Sequence, residues 1–496
     1  MTQRSFLLII LLSVAAGVAG FFLHQAEYPL TYDEGDYYLA VQRGFWVNWT
    51  DHDDLPLTEF VRMGMDALGD AEARARLSDY IRGSGSTMFL RHYHPPLAFY
   101  PAIALSHVTG GMPLHWQLRL SNLFWVLLWI AVIGVIGWRH DSARTPLLLL
   151  LPASSAYAMA VVGFNMHLPF GLMLTLFLFC LYLYERGGEA SMLRLTQLFF
   201  AATLVTVAYG MFVVFFTVLF LFWRFWKSTS RFAFLRRVGR SVVWVAGFLL
   251  LLWPASLLTL NLLKNWVFVI YIAVFRLPSE TVAFDNWWEL LFDKWNANPF
   301  ELLLIPTLLI IVLLRARTML RHGSVCIATG FSLALLYLQM NPTLVYRWYL
   351  FPVSGIMLFF LPFVVSQIFG NWGLQRPVPI GVAATVLFVS ALFLVPKPDY
   401  SELISLHKLV AAEKPSAMTL PRSVYPQLRP YYPDAAITSY HDDAYGSMNV
   451  PDSMEAWQRR GLVLVPVGVQ PPGLRPDAST EHYLLFRPKD ARDIPQ

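Results

Sequence analysis

Long apolar stretches alternate with short polar segments along most of this chain. Uncharged apolar runs fall at about 5–23, 120–138, 145–163, 168–184, 195–223, 242–263, 300–314, 324–340, 348–369 and 378–395. A helix rises about 1.5 Å per residue, so roughly 20 apolar residues cross a hydrocarbon core about 30 Å thick. The pattern therefore predicts a polytopic α-helical membrane protein.

The run 195–223 is too long for a single span, and Gly210 lies near its middle. We interpret it as two helices that meet in a tight bend, which gives about eleven passes. With the N-terminus inside, short inner loops hold fourteen Lys and Arg residues and short outer loops hold four. This bias is what the positive-inside rule requires. The run 5–23 starts like a signal peptide, but we expect it to be a retained first helix.

Two regions depart from the apolar pattern. The first is a predicted large outer loop, 24–118, in which 57–82 has the pattern of amphipathic helices and 96–112 that of a juxtamembrane helix. The second is a proline-rich tail, 396–496, which we expect to be a small α/β domain on the outer face. The chain is thus predicted to have a transmembrane domain, 1–395, followed by that domain.

The tail has its own periodicity. A helical stretch near 400–413 precedes two strand-like runs, 462–467 and 482–488. These elements are the basis for the predicted α/β domain.

Composition agrees with a membrane protein. Hydrophobic residues make up 56% of the 496 residues, charged residues 14% and aromatic residues 15%, whereas soluble domains are about 25% charged. The net charge of +5 comes from short loops between spans, so no nucleic-acid partner is indicated. Cys180 and Cys326 both lie in apolar runs, which argues against a disulfide framework or a thiolate metal site.

Three acids stand directly after the first apolar run, in the segment LTYDEGDYYLA at 30–40. They are Asp33, Glu34 and Asp36, and tyrosines surround them. A carboxylate near neutral pH can take a proton from an acceptor hydroxyl. The alternative is a solvated loop that contacts lipid headgroups, and composition alone leaves both open.

Basic and hydrogen-bonding residues gather at three other outer positions. They are Arg91, His92 and His94 before a proline pair, Tyr346 and Arg347 before a late span, and His167 in a short turn. Arg and His can hold a phosphate through charge-assisted hydrogen bonds. Together with the acids, these residues suit the transfer of a group from a phosphate-linked donor.

Several motifs in this order resemble the GT-C glycosyltransferases. They are DEGDYYLA after the first span, HPPLAFYPAIALSH later in the loop, LRLSNLFWVLL at the second span and RWYLFP at a late span. The closest type is the branch of protein O-mannosyltransferases and lipid A aminoarabinose transferases. The resemblance covers roughly 1–395, with the tail similar only loosely to the extra outer domains of such enzymes.

The resemblance implies a polyprenyl-phosphate sugar donor and transfer on the outer face, usually with inversion. It makes Asp33 the general base, with Glu34 as its neighbour, and places Arg347 near the donor. His94 stands where the family has a Lys before the proline pair, and His167 where it tends to have an acid. Those departures leave any metal role open, so no metal ligand is assigned, although a divalent metal is conceivable.

Substrate contacts are expected from further residues of the same segments. Tyr37 is the tyrosine expected to touch substrate, and Asp36 is expected to be solvated or on the acceptor side. Arg91, His92, His94, Tyr346, Arg347 and His167 complete the predicted substrate-binding set. The acceptor is expected to be an envelope lipid, a glycan or a protein, and membrane lipids surround the chain.

Two other functions fit parts of the pattern. A lipid-linked sugar transporter or flippase would place ionisable residues at mid-membrane, whereas here they lie at the outer edge. A non-catalytic envelope-glycan assembly protein would present the tail to a partner. The expected location is a bacterial inner membrane, with the site and the tail in the periplasm.

Overall fold

The structure of the protein, a computed structural model, describes part of the chain. The described residues are 8, 11–12, 15–20, 22, 27–50, 55–82, 95–140, 164, 166–275, 321–339, 400–421, 424–440, 454, 457–459, 461–467 and 475–488. They include the acid cluster, the helices packed around it and a C-terminal sheet.

The first part of the described chain is helical. Its helices are α1 (Tyr32–Gln42), α2 (Gly44–Thr50), α3 (Leu57–Gly69), α4 (Ala71–Arg82), α5 (Tyr100–Val108), α6 (Leu114–His140), α7 (His167–Gly187), α8 (Ala190–Leu204), α9 (Gly210–Lys227), α10 (Arg231–Leu252), α11 (Ala255–Leu258), α12 (Asn261–Phe275) and α13 (Gly323–Gln339). Among the described residues, α7 and α9 are long and apolar enough to cross a membrane.

Helix α9 leaves much of its apolar surface uncovered by protein. Phe215, Val218 and Phe222 are among its exposed side chains, and Phe222 is 62% exposed. Soluble monomers rarely expose contiguous apolar patches of this kind. The surface of α9 therefore agrees with a lipid environment.

The predicted amphipathic helices in 57–82 are confirmed as α3 and α4. Phe60, Ala67 and Leu77 form their buried face, and these side chains pack with Phe268 of α12. The hydroxyl of Tyr271 donates to the Phe60 carbonyl at 3.0 Å. The pair is therefore attached to the helix bundle through α12.

The predicted helix in 96–112 is also confirmed. A 3-10 turn at Pro96–Phe99 leads into α5, which ends before two glycines. The Leu97 N–H donates to the Val205 carbonyl at 3.1 Å. This contact joins the segment to the break between α8 and α9.

That break is where the long run 195–223 was expected to bend. Helix α8 ends at Leu204 and α9 begins at Gly210. A Cβ atom on Gly210 would lie 3.0 Å from Cα of Leu204, tighter than ordinary packing. The prediction of two helices in this run is confirmed.

The run 242–263, expected to be a single span, is not one helix. Helix α10 ends at Leu252, and Pro254 begins a short turn before α12 starts at Asn261. Proline disfavours the helical conformation of the residue before it, here Trp253. The correction thus has a local cause in the sequence.

The C-terminal domain contains a five-stranded sheet. Its strands are β1 (Ala417–Pro421), β2 (Ala436–Tyr440), β3 (Leu462–Pro466), β4 (Ala478–Ser479) and β5 (Tyr483–Phe486), in the order β2-β1-β3-β5-β4. Strand β1 pairs in parallel with β2 and β3, whereas β5 is antiparallel to β3 and β4. The predicted strands near 462–467 and 482–488 are confirmed.

One face of the sheet is covered by α14 (Ser401–Glu413), where a helix was expected. Leu406 and Val410 of that helix pack on Met418, Leu464 and Leu485. A short helix, α15 (Tyr425–Leu428), and a 3-10 turn at Arg429–Tyr431 follow β1. The α/β character of the tail is confirmed, whereas the boundary at 395/396 lies outside the described residues.

Candidate functional site

The acid cluster lies on α1, called the acid helix below. Thr31 is its N-cap, and Glu34, three residues on, accepts a hydrogen bond from the Thr31 N–H at 3.1 Å. This Thr-x-x-Glu spacing is the signature of a capping box. The helix start is therefore encoded locally, and it fixes where Glu34 points.

Glu34 forms a buried ion pair with Arg119 of α6. Arg119 Nε donates to Glu34 Oε1 at 2.8 Å and Nη2 donates to Oε2 at 2.6 Å. Glu34 is 1% exposed and Arg119 0%. Two parallel charge-assisted bonds set both distance and orientation, so this pair ties the acid helix to α6.

The rest of the Arg119 guanidinium holds the segment before the acid helix. Nη1 donates to the Tyr28 carbonyl at 2.6 Å, and Nη2 donates to the Pro29 carbonyl at 3.1 Å. The guanidinium carbon lies 3.6 Å from the centre of the Tyr28 ring. Arg119 thus holds both the acid and the chain leading to it, as only a planar fork of donors can.

The electrostatics keep Glu34 ionised. Burial raises the pKa of its carboxyl. The positive charge and hydrogen bonds of Arg119 outweigh that effect, together with hydrogen bonds from the N–H groups of Phe164 and Thr31, and the pKa lies below its usual range. Both Glu34 oxygens already accept hydrogen bonds. A carboxylate stabilised in this way is a weak proton acceptor.

The other residues of the acid helix are more buried than the sequence predicts. Asp36 is 7% exposed, so the solvated alternative is wrong, whereas a place on the acceptor side stays a prediction. Tyr37 packs against both Phe99 and Phe164, with ring centroids at 5.8 and 5.4 Å. The apolar 96–112 segment covers this face of the helix, which the position of the acids in a long loop does not reveal.

The short turn before His167 meets the acid helix through Phe164, and the predicted site role of His167 itself stays a prediction. The Phe164 N–H donates to Glu34 Oε1 at 3.0 Å. His167 begins α7, is buried, and lies against the Tyr209 ring with centroids 5.4 Å apart. The structure therefore brings the first-loop acids and this short turn together.

The remaining predicted site residues lie outside the described residues. They are the side chain of Asp33, whose backbone is the second residue of the acid helix, and Arg91, His92, His94, Tyr346 and Arg347. Within the described segments, no three His, Cys, Asp or Glu side chains are placed to hold a metal ion.

A buried cation on α12, Lys264, is one of the four basic residues assigned to short outer loops and was not predicted as a site residue. Lys264 is 1% exposed and shares a helix face with Asn261 and Asn265, both buried. Leu262 of the same helix packs in one cluster with Leu97, which follows the proline pair. Lys264 is therefore a buried cation on a helix that shares a hydrophobic cluster with the segment after the proline pair.

Another buried polar side chain lies one turn beyond Arg119. Asn122 is 0% exposed, and neither atom of its amide has a hydrogen-bond partner in the described part of the chain. Leaving such a group unpaired costs about 1–3 kcal/mol. A polar group of a ligand would satisfy it.

Two signals in the sequence could have revealed this arrangement. Thr31 and Glu34 have the capping-box spacing, and Arg119 is a lone charge directly before an apolar run. A charge at the start of a span that does not remain in water needs a partner of opposite sign. The nearby acids supply one.

A solved structure resembles this chain over nearly its whole length. The structure of ArnT from Cupriavidus metallidurans bound to undecaprenyl phosphate superposes with a TM-score of 0.56, covering 98% of this chain and 99% of that one at 12% sequence identity. No protein-family model matches the chain. No curated protein sequence matches it either.

The likeness extends over the tail as well as the helical part, because nearly all of both chains is covered. The resemblance expected from the motifs is therefore confirmed at the level of the fold: this chain has a fold like that of ArnT.

Proposed function

We propose that the chain is an integral-membrane glycosyltransferase that moves a sugar from a polyprenyl-phosphate donor to an acceptor hydroxyl. The observation that carries the proposal is the likeness over 98% of the chain to a transferase structure bound to undecaprenyl phosphate. The apolar surface of α9 and the buried acid helix support it. Transfer takes place on the periplasmic side of a bacterial inner membrane, with inversion at the anomeric carbon.

Asp33 is proposed as the general base. Glu34 is poorly suited to that role, because Arg119 and two backbone N–H groups already occupy its carboxylate. Asp33 precedes Glu34 on the same helix, so the Glu34–Arg119 pair fixes the helix that carries the base. Asp33 takes the proton of the acceptor hydroxyl, the oxygen attacks the anomeric carbon, and the lipid phosphate leaves.

The leaving phosphate needs cations near it. Lys264 is proposed as one of them, because it is a buried cation whose helix shares a hydrophobic cluster with the segment after the proline pair. His94, Arg91 and Arg347 remain predicted contributors, with Tyr346 and His92 near them. His167 and Asn122 are proposed to meet the sugar or the acceptor.

The experiment starts from a deletion strain. Mass spectrometry of its envelope lipids, glycans and proteins identifies the sugar that is missing, and plasmid-borne variants are then tested for restoring it. Asp33→Asn is expected to abolish restoration while the protein still accumulates and still binds undecaprenyl phosphate. Asp66→Asn, an exposed carboxylate on α3, serves as the matched control and should restore the sugar fully.

Restoration by Asp33→Asn would overturn the assignment of the base. A liposome assay separates the transporter alternative, because a flippase moves a lipid-linked sugar across the bilayer without any acceptor. Translocation by the purified protein, with no transferred product in the strain, would overturn the proposed function.

A further inference from the structure

The C-terminal domain contacts the acid helix and the residues just before it. The hydroxyl of Tyr431 accepts a hydrogen bond from the Leu30 N–H at 2.9 Å. The Tyr400 ring stacks on the Tyr28 ring with centroids 3.8 Å apart. Both contacts fall on the segment that Arg119 also holds through backbone carbonyls.

A third contact is a close approach of two backbones. Gly35 lies on the acid helix, and a Cβ atom there would overlap the carbonyl of Pro426, at the start of α15. A glycine permits this distance because it has no side chain. The domain thus meets the acid helix at the position directly after Glu34.

Tyr431 packs with the core around the acid helix. Its ring lies against the cluster that contains Tyr37 and Phe99. Its neighbour Tyr432 packs instead with the buried side chains of the sheet domain. The two adjacent tyrosines therefore pack in different cores: Tyr431 in the core around the acid helix and Tyr432 in the core of the sheet domain.

The acid helix needs such support. It has only 11 residues, and isolated helices shorter than about 12–15 residues are marginal in water. Its position must come from tertiary contacts, which are made by Arg119, by Phe99 and Phe164, and by the C-terminal domain.

We propose that the C-terminal domain is the positioning element of the acid helix, with Tyr431 as its positioning residue. Tyr431 holds Leu30 in place and so positions the first turn of the helix. The Gly35–Pro426 contact sets the distance between the acid helix and α15. The catalytic consequence rests on the proposed function: a shift of about 1 Å in a catalytic group can cost about 100-fold in rate.

The test uses hydrogen exchange on the full-length protein in detergent. Tyr431→Phe removes only the hydroxyl, so the Leu30 and Gly35 amides should exchange about tenfold faster, the factor for losing one ordinary hydrogen bond. The strands of the sheet domain should keep their protection. Tyr432→Phe is the matched control and should leave the acid helix unchanged.

A second variant leaves the tail sequence untouched. Gly35→Ala should force the acid helix and α15 apart and speed exchange in both, whereas Gly247→Ala, a helical glycine with open space around it, should do neither. If Tyr431→Phe unfolds the sheet domain, Gly35→Ala still tests whether the C-terminal domain positions the acid helix. Unchanged exchange in the acid helix with Gly35→Ala and Tyr431→Phe would overturn the proposal.

Transfer assays separate this proposal from the proposed function. Both variants should lower the turnover number for sugar transfer while undecaprenyl phosphate binding is retained. Faster exchange in a protein with no transferase activity would leave the positioning role standing and overturn the enzyme assignment. Normal turnover in a protein whose acid helix has loosened would overturn the catalytic consequence.

Discussion

Two arginine–carboxylate forks in this protein have the same geometry and different surroundings. Arg119 and Glu34 are buried, whereas Arg487 and Glu413 pair at the surface, with bond lengths of 2.9 and 2.7 Å. Water and salt screen the surface pair, so it contributes little. Breaking a buried pair is costly because the remaining charge stays out of water.

Glu34→Gln should therefore destabilise the protein by about 3–5 kcal/mol, the usual cost of leaving one buried charge unpaired. Thermal unfolding in detergent measures it. Glu413→Gln is the matched control and should change the midpoint far less. Equal effects of the two substitutions would show that the Glu34–Arg119 pair is hydrated.

The same pair predicts an acid sensitivity. The pKa of Glu34 is lowered in the folded state, so its stabilisation is complete above the unfolded carboxyl pKa of about 4.3. This stabilisation is lost as the pH falls through the pKa that Glu34 has in the folded state, because the Glu34 carboxylate must then take up a proton at unfavourable cost. The unfolding midpoint of the wild type should fall more steeply below about pH 4 than that of Glu34→Gln. Parallel curves would contradict the prediction.

At the scale of elements, α3 docks on α12 through a glycine. A Cβ atom on Gly64 would overlap the Tyr271 ring, whereas one on Gly69, later in the same helix, would meet nothing within 4 Å. The ring cannot retreat easily, because its hydroxyl is bonded to the carbonyls of Phe60 and Val61. The glycine thus determines how closely the two helices pack.

Gly64→Ala should cost about 1–3 kcal/mol through overpacking. Gly69→Ala should be neutral or slightly stabilising, because alanine favours the helical conformation. Limited proteolysis reports on the docking: Gly64→Ala should speed cleavage within α3 and α4. Equal cleavage rates for the two variants would show that Tyr271 is free to move aside.

The elements that the sequence predicted well are those with local causes. The break near Gly210, the helix pair in 57–82 and the strands of the tail follow from periodicity and from single residues. The end of α10 just before Pro254 had an equally local cause and was missed because apolar length was given more weight. The Glu34–Arg119 pair joins residues 85 positions apart, and no periodicity carries that information.

The burial of Asp36 shows the same limit. Its charge and its place in a long loop predict solvent, yet the C-terminal domain and the 96–112 segment both pack on the acid helix. That segment was correctly predicted as a helix, but its partner could not be predicted from its own residues. Local structure could be predicted from the sequence, whereas the contacts between distant segments could not.

At the scale of the whole molecule, the proposed donor should stabilise the fold. A ligand that binds only the folded protein adds about 2.7 kcal/mol at 100 times its dissociation constant. Undecaprenyl phosphate should therefore raise the unfolding midpoint in detergent. Lys264→Ala should reduce that shift, whereas Lys227→Ala, an exposed cation at the end of α9, should retain it.

An undiminished shift with Lys264→Ala would remove Lys264 from the phosphate site. No shift for the wild type would count against a polyprenyl-phosphate donor. Undecanol at the same concentration controls for the apolar chain, because it lacks the phosphate that Lys264 is proposed to hold.

The hydrogen bond between Leu30 and Tyr431 joins residues 401 positions apart. Ribosomes add about 5–20 residues per second, so roughly 20–80 s separate the synthesis of its two ends. The segment with the acids is therefore made well before the residue that supports it. A chain that terminates between residues 396 and 430 keeps every predicted span but lacks Tyr431, so its acid helix would lack that support.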